Sequence, residues 1–357
     1  VLRRKPPGAL LASAHAVDRE FRVLQALHGG PVPVAAPLHL CRDESVIGSM
    51  FYLMEFVDGR IHWDPSLPGM EPAQRGAHYR AIIETLASLH GVDVAAAGLA
   101  DYGKPGNYFA RQLARWSEQY AASRTRDIPA MHALIAQLPA RCPADDGVVA
   151  LAHGDYRIDN LMFAPAGARV AAVVDWELST LGHPLADLGY LCMALRLPRN
   201  PALPGLAGID RAALGIPSEA EILAQYSDLT GRAIPDDWAF VLAFSYFRLA
   251  AIAQGVAKRV EQGNASSEQA AQAGAMTELL ERHPATLLGQ RDRSGDNPGG
   301  RVRDADVEHL PGRDEVVERT DDLLDRSHAV PHVQPQEVDV VGAEPAQARL
   351  ERSHEVL

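Results

Sequence analysis

The run His153-Gly154-Asp155-Tyr156-Arg157-Ile158-Asp159-Asn160, followed by Asp175-Trp176-Glu177, gathers the residues of this chain best suited to chemistry. An Asp is followed five residues later by an Asn, at the mouth of an apolar stretch. A second Asp comes 15 residues after that Asn. Phosphoryl transfer from a nucleotide needs one carboxylate beside the attacking hydroxyl and hard oxygen ligands for Mg²⁺ across the phosphates. Asp155 could supply the first, and the Asn160 amide oxygen with the Asp175 carboxylate the second.

Each piece alone has an ordinary explanation. An isolated Asp-x₄-Asn is usually a satisfied polar loop, His153 reads as an internal strut, and Trp176 as core. The ordered set is more specific and follows the protein-kinase pattern H-x-D-x₄-N with a later metal Asp. HGD in place of HRD, and DWE in place of DFG, point away from protein kinases proper.

With these motifs the chain resembles the aminoglycoside phosphotransferase and choline kinase family, from Val1 to about His283. The resemblance implies an α+β, bilobal, protein-kinase-like fold with a truncated β-rich N-terminal lobe and a mainly helical C-terminal lobe. It implies ATP and Mg²⁺ as cofactors, Asp155 as catalytic base, and Asn160 and Asp175 as metal ligands. His153 and Asp187, the latter in Gly182-His183-Pro184-Leu185-Ala186-Asp187-Leu188, would support the catalytic loop. Asp187 can also be read as a helix N-terminal carboxylate stabilised by the dipole. Arg3 falls where many relatives carry Lys, paired with Glu20, and Lys5 is the alternative on the same strand face. The Glu55 carbonyl and Val57 amide would hold the adenine edge. As side chains, Met54-Glu55-Phe56-Val57 read as core.

The runs VLRRKPPGALLASAHAVDREFRVLQAL, DWELSTLGHPLADL and SYFRLAAIAQGV are similar to the kinase-like domain fused to acyl-CoA dehydrogenases in animals. That branch is associated with phosphorylating hydroxylated acyl-CoA or hydroxy acids. A small hydroxylated substrate and a nucleotide are the partners this implies. An aminoglycoside, sugar or choline kinase, or a nucleotide-binding pseudokinase scaffold, are the competing readings. The family's phosphate-covering loop precedes the position at which this chain starts, so a Gly-rich strand-turn-strand upstream of Val1 would favour the enzyme.

Periodicity supplies the elements that must position these groups. Val17, Phe21, Leu24 and Leu27 recur at spacings of three and four, which predicts a helix over 14–27. Val1–Arg4, Val34–Cys41 and Ser49–Val57 read as strands. Helices are predicted over 73–90, 108–122, 128–138, 184–195, 218–230, 236–262 and 266–281. A strand at 147–152 leads into the polar loop. Short runs at 161–164 and 169–174 form a hairpin about Pro165-Ala166-Gly167. Trp63, Trp116 and Trp238 read as core packing, with the lining of a substrate pocket as the alternative. The domain boundaries follow as 1–57 for the partial small lobe, 58–285 for the helical lobe, and 286–357 for a tail.

Of 357 residues, 34 are Lys or Arg and 46 Asp or Glu, giving a formal net charge of −12. Such an acidic balance argues against a nucleic-acid partner. Three cysteines form no paired spacing, no HExxH or G-x-S-x-G motif occurs, and no signal peptide or bilayer-spanning apolar run is read, so cytoplasmic location and no membrane partner are expected. Residues 286–357 hold 16 acidic residues and 9 Arg but no Lys and no Phe, Trp or Tyr. A segment so poor in buriable surface is expected to be disordered. Limited proteolysis should therefore cut early beyond about Gly289 and leave a stable core. Protection of 316–324 from cleavage would refute this.

Overall fold

Short strands open the chain because its N-terminal third alternates β-prone runs with turn residues, and long amphipathic helices take over after Pro72. The structure is a computed structural model, and it describes residues 1–4, 16–199 and 204–261. The described residues all fall within Val1–Pro298. Lys5, the helix read over 266–281 and the tail lie outside them.

The small lobe is an antiparallel sheet in the order β1-β3-β2, formed by β1 (Leu2–Arg4), β2 (Pro37–Cys41) and β3 (Phe51–Met54). Its register pairs Arg3 with Tyr52. One helix, α1 (Val17–Leu27), packs on this sheet through Val17, Phe21, Leu24 and Leu27, the stripe seen in the sequence. Asp58-Gly59 ends the run after β3, and the chain passes directly into β4 (Arg60–Ile61). This strand pairs with β6 (Leu161–Phe163), which forms a hairpin with β7 (Val170–Val173). The connection between lobes is thus stitched into the sheet that follows the polar loop. A second tie is the Val173 N–H donating to the Pro33 carbonyl at 2.8 Å.

The large lobe is built on α2 (Pro72–His90), started by Pro72 at its first position and a reciprocal Glu71–Gln74 capping box. Then come α3 (Tyr108–Ser123), α4 (Pro129–Arg141), β5 (Ala150–Ala152), β8 (Thr180–Gly182), α5 (Leu185–Met193), α6 (Arg211–Leu214), α7 (Glu219–Thr230) and α8 (Trp238–Glu261). β5 pairs antiparallel with β8, Ala150 opposite Gly182 and Ala152 opposite Thr180. α5 and α8 are buried together, with Leu188, Phe240, Phe244 and Phe247 in one core.

The bilobal α+β architecture agrees with the sequence reading, and three local expectations do not. The window Trp238–Lys258 has the length and mean hydropathy of a membrane span, contrary to the reading of the bare sequence. It is 78% buried within the fold and forms the central helix of the large lobe. Glu55 and Phe56 are exposed rather than core, since the segment after β3 bridges the lobes and has no layer above it; Phe56 is 74% exposed. Trp63 is 71% exposed, whereas Trp116 is buried as read.

At Gly189, α5 and α8 approach closely. A Cβ there would lie 2.6 Å from Val241 Cγ1 and 2.9 Å from Ser245 Oγ. Gly189→Ala is therefore expected to destabilise the fold by about 1–3 kcal/mol through overpacking. Denaturant unfolding measures it; an unchanged midpoint would mean the two helices do not meet at this residue.

Candidate active site

β5 delivers His153 to the end of a buried strand, and a single carboxylate takes the first two backbone N–H groups of the loop that follows. Asp187 Oδ2 accepts from the His153 N–H at 2.7 Å, and Oδ1 from the Gly154 N–H at 2.9 Å. His90 Nε2 lies 3.3 Å from the same carboxylate, and its Nδ1 is 2.8 Å from the Tyr226 hydroxyl. Burial opposes the Asp187 charge, but the contact with His90 and the Gly154 N–H outweigh it, holding the carboxyl below its usual range. Gly154 adopts φ +84°, and a Cβ there would sit 2.4 Å from the Leu178 carbonyl, so the second position of HGD admits only glycine. This explains why HGD, not HRD, stands here.

His153 is a strut, as its sequence context suggested. Its Nδ1 accepts from the Asp155 N–H at 3.2 Å, leaving Nε2–H to donate to the Val174 carbonyl at 2.9 Å. The ring thereby joins the Asp155 loop to the residue before Asp175. Asn160 lies in a 3₁₀ turn, Ile158–Asn160, and its Nδ2 donates to the Asp155 carbonyl at 2.8 Å and to Asp155 Oδ2 at 3.0 Å. The Val174 N–H donates in turn to the Asn160 carbonyl at 3.0 Å. The 15-residue spacing is thus closed by the hairpin, which sets Asn160 and Asp175 side by side.

Asp175 adopts a left-handed backbone, φ 65°, at the start of a 3₁₀ turn, Trp176–Leu178. Asp tolerates this conformation better than most residues. Its carboxylate meets Arg3: the Arg3 Nη2–Asp175 Oδ1 distance is 2.9 Å, and Arg3 Nε is 2.7 Å from Glu20 Oε2. Arg3 also lies 3.9 Å from Glu177. The Tyr52 hydroxyl donates to Glu20 at 3.1 Å. Glu20 is almost fully buried, and burial holds its carboxyl above the usual range despite Arg3. Burial also works against the charge of Arg3, but Glu20 and Asp175 more than compensate, so the guanidinium stays charged.

At the connection between lobes, the Glu55 N–H donates to the Ala36 carbonyl at 2.9 Å. Among the described residues, the Glu55 carbonyl and Val57 N–H have no backbone partner.

Three further side chains surround Asp155 that the sequence did not single out. Tyr190, from α5, hydrogen-bonds Asp155; burial and the Asp155 charge push its phenol up. Arg157 forks onto Asp159, Nε to Oδ1 at 2.9 Å. Arg248 donates to the Gly154 carbonyl while its guanidinium sits 5.2 Å from the Tyr190 ring centroid and 5.8 Å from that of Trp116. Arg248 belongs to the run SYFRLAAIAQGV, where only a charged residue inside an apolar helix could have drawn notice. A pocket of about 50 Å³ is walled by Tyr79, Ile82, Tyr190, Leu191, Leu197 and Ile222, with Arg157 and Asp159 of the catalytic loop on one side and Trp63 among its lining residues; Asp155 does not line it.

The donor set fits Mg²⁺. Asn160 uses its amide nitrogen on Asp155, which leaves its amide oxygen for a cation, and the Asp175 side chain is 37% exposed. No group of three or more His, Cys, Asp or Glu side chains forms a cage among the described residues. That suits an ion held by one or two protein oxygens together with substrate phosphates.

The Asp187 linkage has a definite sign. A carboxylate whose pKa is depressed by folding contributes stability at pH values above its unfolded pKa, near 4, and loses it as the pH falls through the folded value. Asp187→Asn should cost about 3–5 kcal/mol at pH 7, the range for breaking a buried hydrogen-bonded charge. The gap to the parent protein should narrow below about pH 4. A gap that is constant from pH 7 to pH 3 in denaturant titrations would contradict the assignment.

The chain is similar to known proteins. The phosphotransferase enzyme family matches residues 1–221. Mouse acyl-CoA dehydrogenase family member 10 is 50% identical over 281 residues, covering 78% of this chain and 26% of that protein. Human acyl-CoA dehydrogenase family member 11 is 43% identical over 306 residues, covering 83% of this chain and 39% of that protein. The chain thus spans between a quarter and two fifths of the length of these relatives. The crystal structure of a Ralstonia eutropha protein assigned to the aminoglycoside phosphotransferases is 51% identical, with a TM-score of 0.75 over 81% of this chain and 85% of that one. A thermostable mutant of aminoglycoside phosphotransferase APH(4)-Ia, 15% identical with a TM-score of 0.52 over 80% of this chain and 95% of that one, shares the fold. A buried Asp holding an HGD loop, an Asn that pins the loop's own Asp, and an Asp set beside them by a hairpin are here accompanied by the family's sequence over most of the described chain: the protein belongs to the phosphotransferase enzyme family.

Proposed function

We propose that this protein is an ATP- and Mg²⁺-dependent kinase that phosphorylates a hydroxyl of a small molecule with an apolar body, a hydroxyacyl-CoA or hydroxy acid. The observation that carries the reading is the contact of Asn160 Nδ2 with both the carbonyl and Oδ2 of Asp155, beside a partly exposed Asp175. In this arrangement Asn160 and Tyr190 orient the Asp155 carboxylate, which would meet an acceptor hydroxyl. It orients that hydroxyl for in-line attack and takes its proton late, as a loose phosphoryl transfer requires. Asn160 and Asp175 would hold Mg²⁺, which when bound neutralises phosphate charge. Arg3, charged and anchored by Glu20, lies within reach of phosphate oxygens, and the Glu55 carbonyl and Val57 N–H would take the adenine edge.

The apolar pocket next to the catalytic loop is consistent with this acceptor class. Its wall is aliphatic and aromatic, and its charges, Arg157 and Asp159, neutralise each other. A polycationic aminoglycoside would need several unpaired carboxylates there. The association of the similar sequences with acyl-CoA dehydrogenases supports the same acceptor class.

The test is transfer of the γ-phosphate of labelled ATP to a panel of hydroxyacyl-CoAs, hydroxy acids, aminoglycosides and choline. Asp155→Asn should leave nucleotide affinity nearly unchanged and lower turnover by about 10²–10⁴, the value of general-base assistance. Equal turnover by the variant at saturating acceptor would remove Asp155 from the role of base. Nucleotide binding with no transfer to any acceptor would favour a pseudokinase scaffold.

A further inference from the structure

The ladder between β5 and β8 is three residue pairs long, so its two ends lie about 7 Å apart. The catalytic loop leaves one end. At the other end, where Val148 approaches β5 and His183 leaves β8, a cavity of about 340 Å³ opens. Its size is that of a small-molecule site, and its construction also fits one: an apolar interior with a few convergent polar groups. Phe109 and Phe240 meet edge to face at 5.4 Å, and the His183 ring lies 5.1 Å from Phe109. Leu185, Val148 and Val241 complete the apolar surface.

The charges at its rim are unequally matched. Asp146 takes His183 Nε2 at 3.3 Å and the Val148 N–H at 3.0 Å. His183 Nδ1 accepts from the Leu185 N–H at 3.3 Å, so the ring is a neutral donor to Asp146. Asp237 takes Arg141 at 2.9 Å and the Phe240 N–H at 3.2 Å. Asp145 is exposed to solvent and accepts from the Gly147 N–H at 3.4 Å. Asp145 and Asp146 thus also face no cation among the described residues, but both are exposed to solvent, whereas Arg232 is half-buried. Its guanidinium reaches a neutral acceptor, the His90 carbonyl, at 3.5 Å, and among the described residues no carboxylate pairs with it. A half-buried cation without a counter-ion, beside an aromatic cavity, is complementary to an anion carried on an apolar ring. The cavity wall also includes the first residues of α3, α5 and α8, whose N-terminal dipoles favour the same sign of charge.

We propose that this cavity binds a small aromatic carboxylate, its ring against the wall formed by Phe109 and Phe240 and its carboxylate on Arg232. The site is separate from the pocket next to the catalytic loop and does not depend on the assignment of the reaction.

Calorimetric titration with 2-naphthoate and with 2-naphthylmethylammonium, the same ring with opposite charge, tests the proposal. The carboxylate should bind with one-to-one saturation and at least tenfold more tightly than the cation. Arg232→Gln should weaken it at least tenfold, a loss of about 1.4 kcal/mol, and Arg232→Lys should retain part of the affinity. Ala110→Trp, which projects from the wall into the cavity, should abolish binding, and Trp63→Ala, on the pocket next to the catalytic loop, should leave it unchanged. Melting curves matched to the parent exclude unfolding as the cause. Equal affinity for the two ions, no saturable binding, indifference to Arg232→Gln, or loss on Trp63→Ala would each overturn the proposal.

Discussion

One buried carboxylate organises the large lobe. Asp187 is wholly enclosed, so its charge must be met inside the protein, and it is met by two successive backbone N–H groups and a histidine. Those two N–H groups belong to His153 and Gly154. Satisfying Asp187 and shaping the loop that carries Asp155 are therefore the same event. Because His90 belongs to α2 and Tyr226 to α7, the carboxylate also fixes how these helices sit against the loop. Removing it leaves orphaned donors in a dry interior, which is costly wherever it happens and here falls one residue from Asp155.

The small lobe is joined to this assembly by a second charged contact of a different kind. Arg3 forks between Glu20 on α1 and Asp175 on the turn after β7, so strand, helix and large lobe meet on a single guanidinium. Arginine suits this role because its planar fork presents donors in two directions, which a lysine ammonium does with less definition. The Glu20 end is buried and held by Tyr52, whereas the Asp175 end faces solvent. The inner contact is therefore structural, and the outer one can exchange for another ligand at small cost, since exposed ion pairs are weak.

Much of this was legible in the residues. The helix over Val17–Leu27 announced itself through a stripe at spacings of three and four, and the hairpin through Pro165-Ala166-Gly167 between two apolar runs. The ordered set Asp155, Asn160, Asp175 was legible because its spacing encodes a loop, a strand and a hairpin that together close on one point. β4 and β8 were not, since two or three residues of Arg-Ile or Thr-Leu-Gly carry no period to detect. Arg248 and Tyr190 were missed for another reason. Each sits in an apolar helix, and its approach to Gly154 or Asp155 depends on how α5 and α8 pack, which no local pattern specifies. Trp63 and Phe56 were misjudged because large aromatic residues are buried on average, and only the tertiary arrangement shows that the connection between lobes lies open.

The distribution of strain and burial across the site follows a consistent logic. His153, Asp187, Glu20 and Arg248 are buried and hydrogen-bonded, whereas Asp155, Asn160 and Asp175 are partly exposed. The supporting groups meet their charges and donors within the fold, so they gain nothing from a ligand. The presenting groups keep capacity unspent: the Asn160 amide oxygen, and an Asp175 held in a left-handed backbone by the turn it begins. A left-handed Asp persists only where its surroundings over-determine it. Here they do so twice, through Arg3 on its side chain and through the Asn160–Val174 and His153–Val174 bonds on the preceding residue. The position of Asp175 is thus set before any ligand arrives, and preorganisation of this sort lowers the ordering cost that binding would otherwise carry.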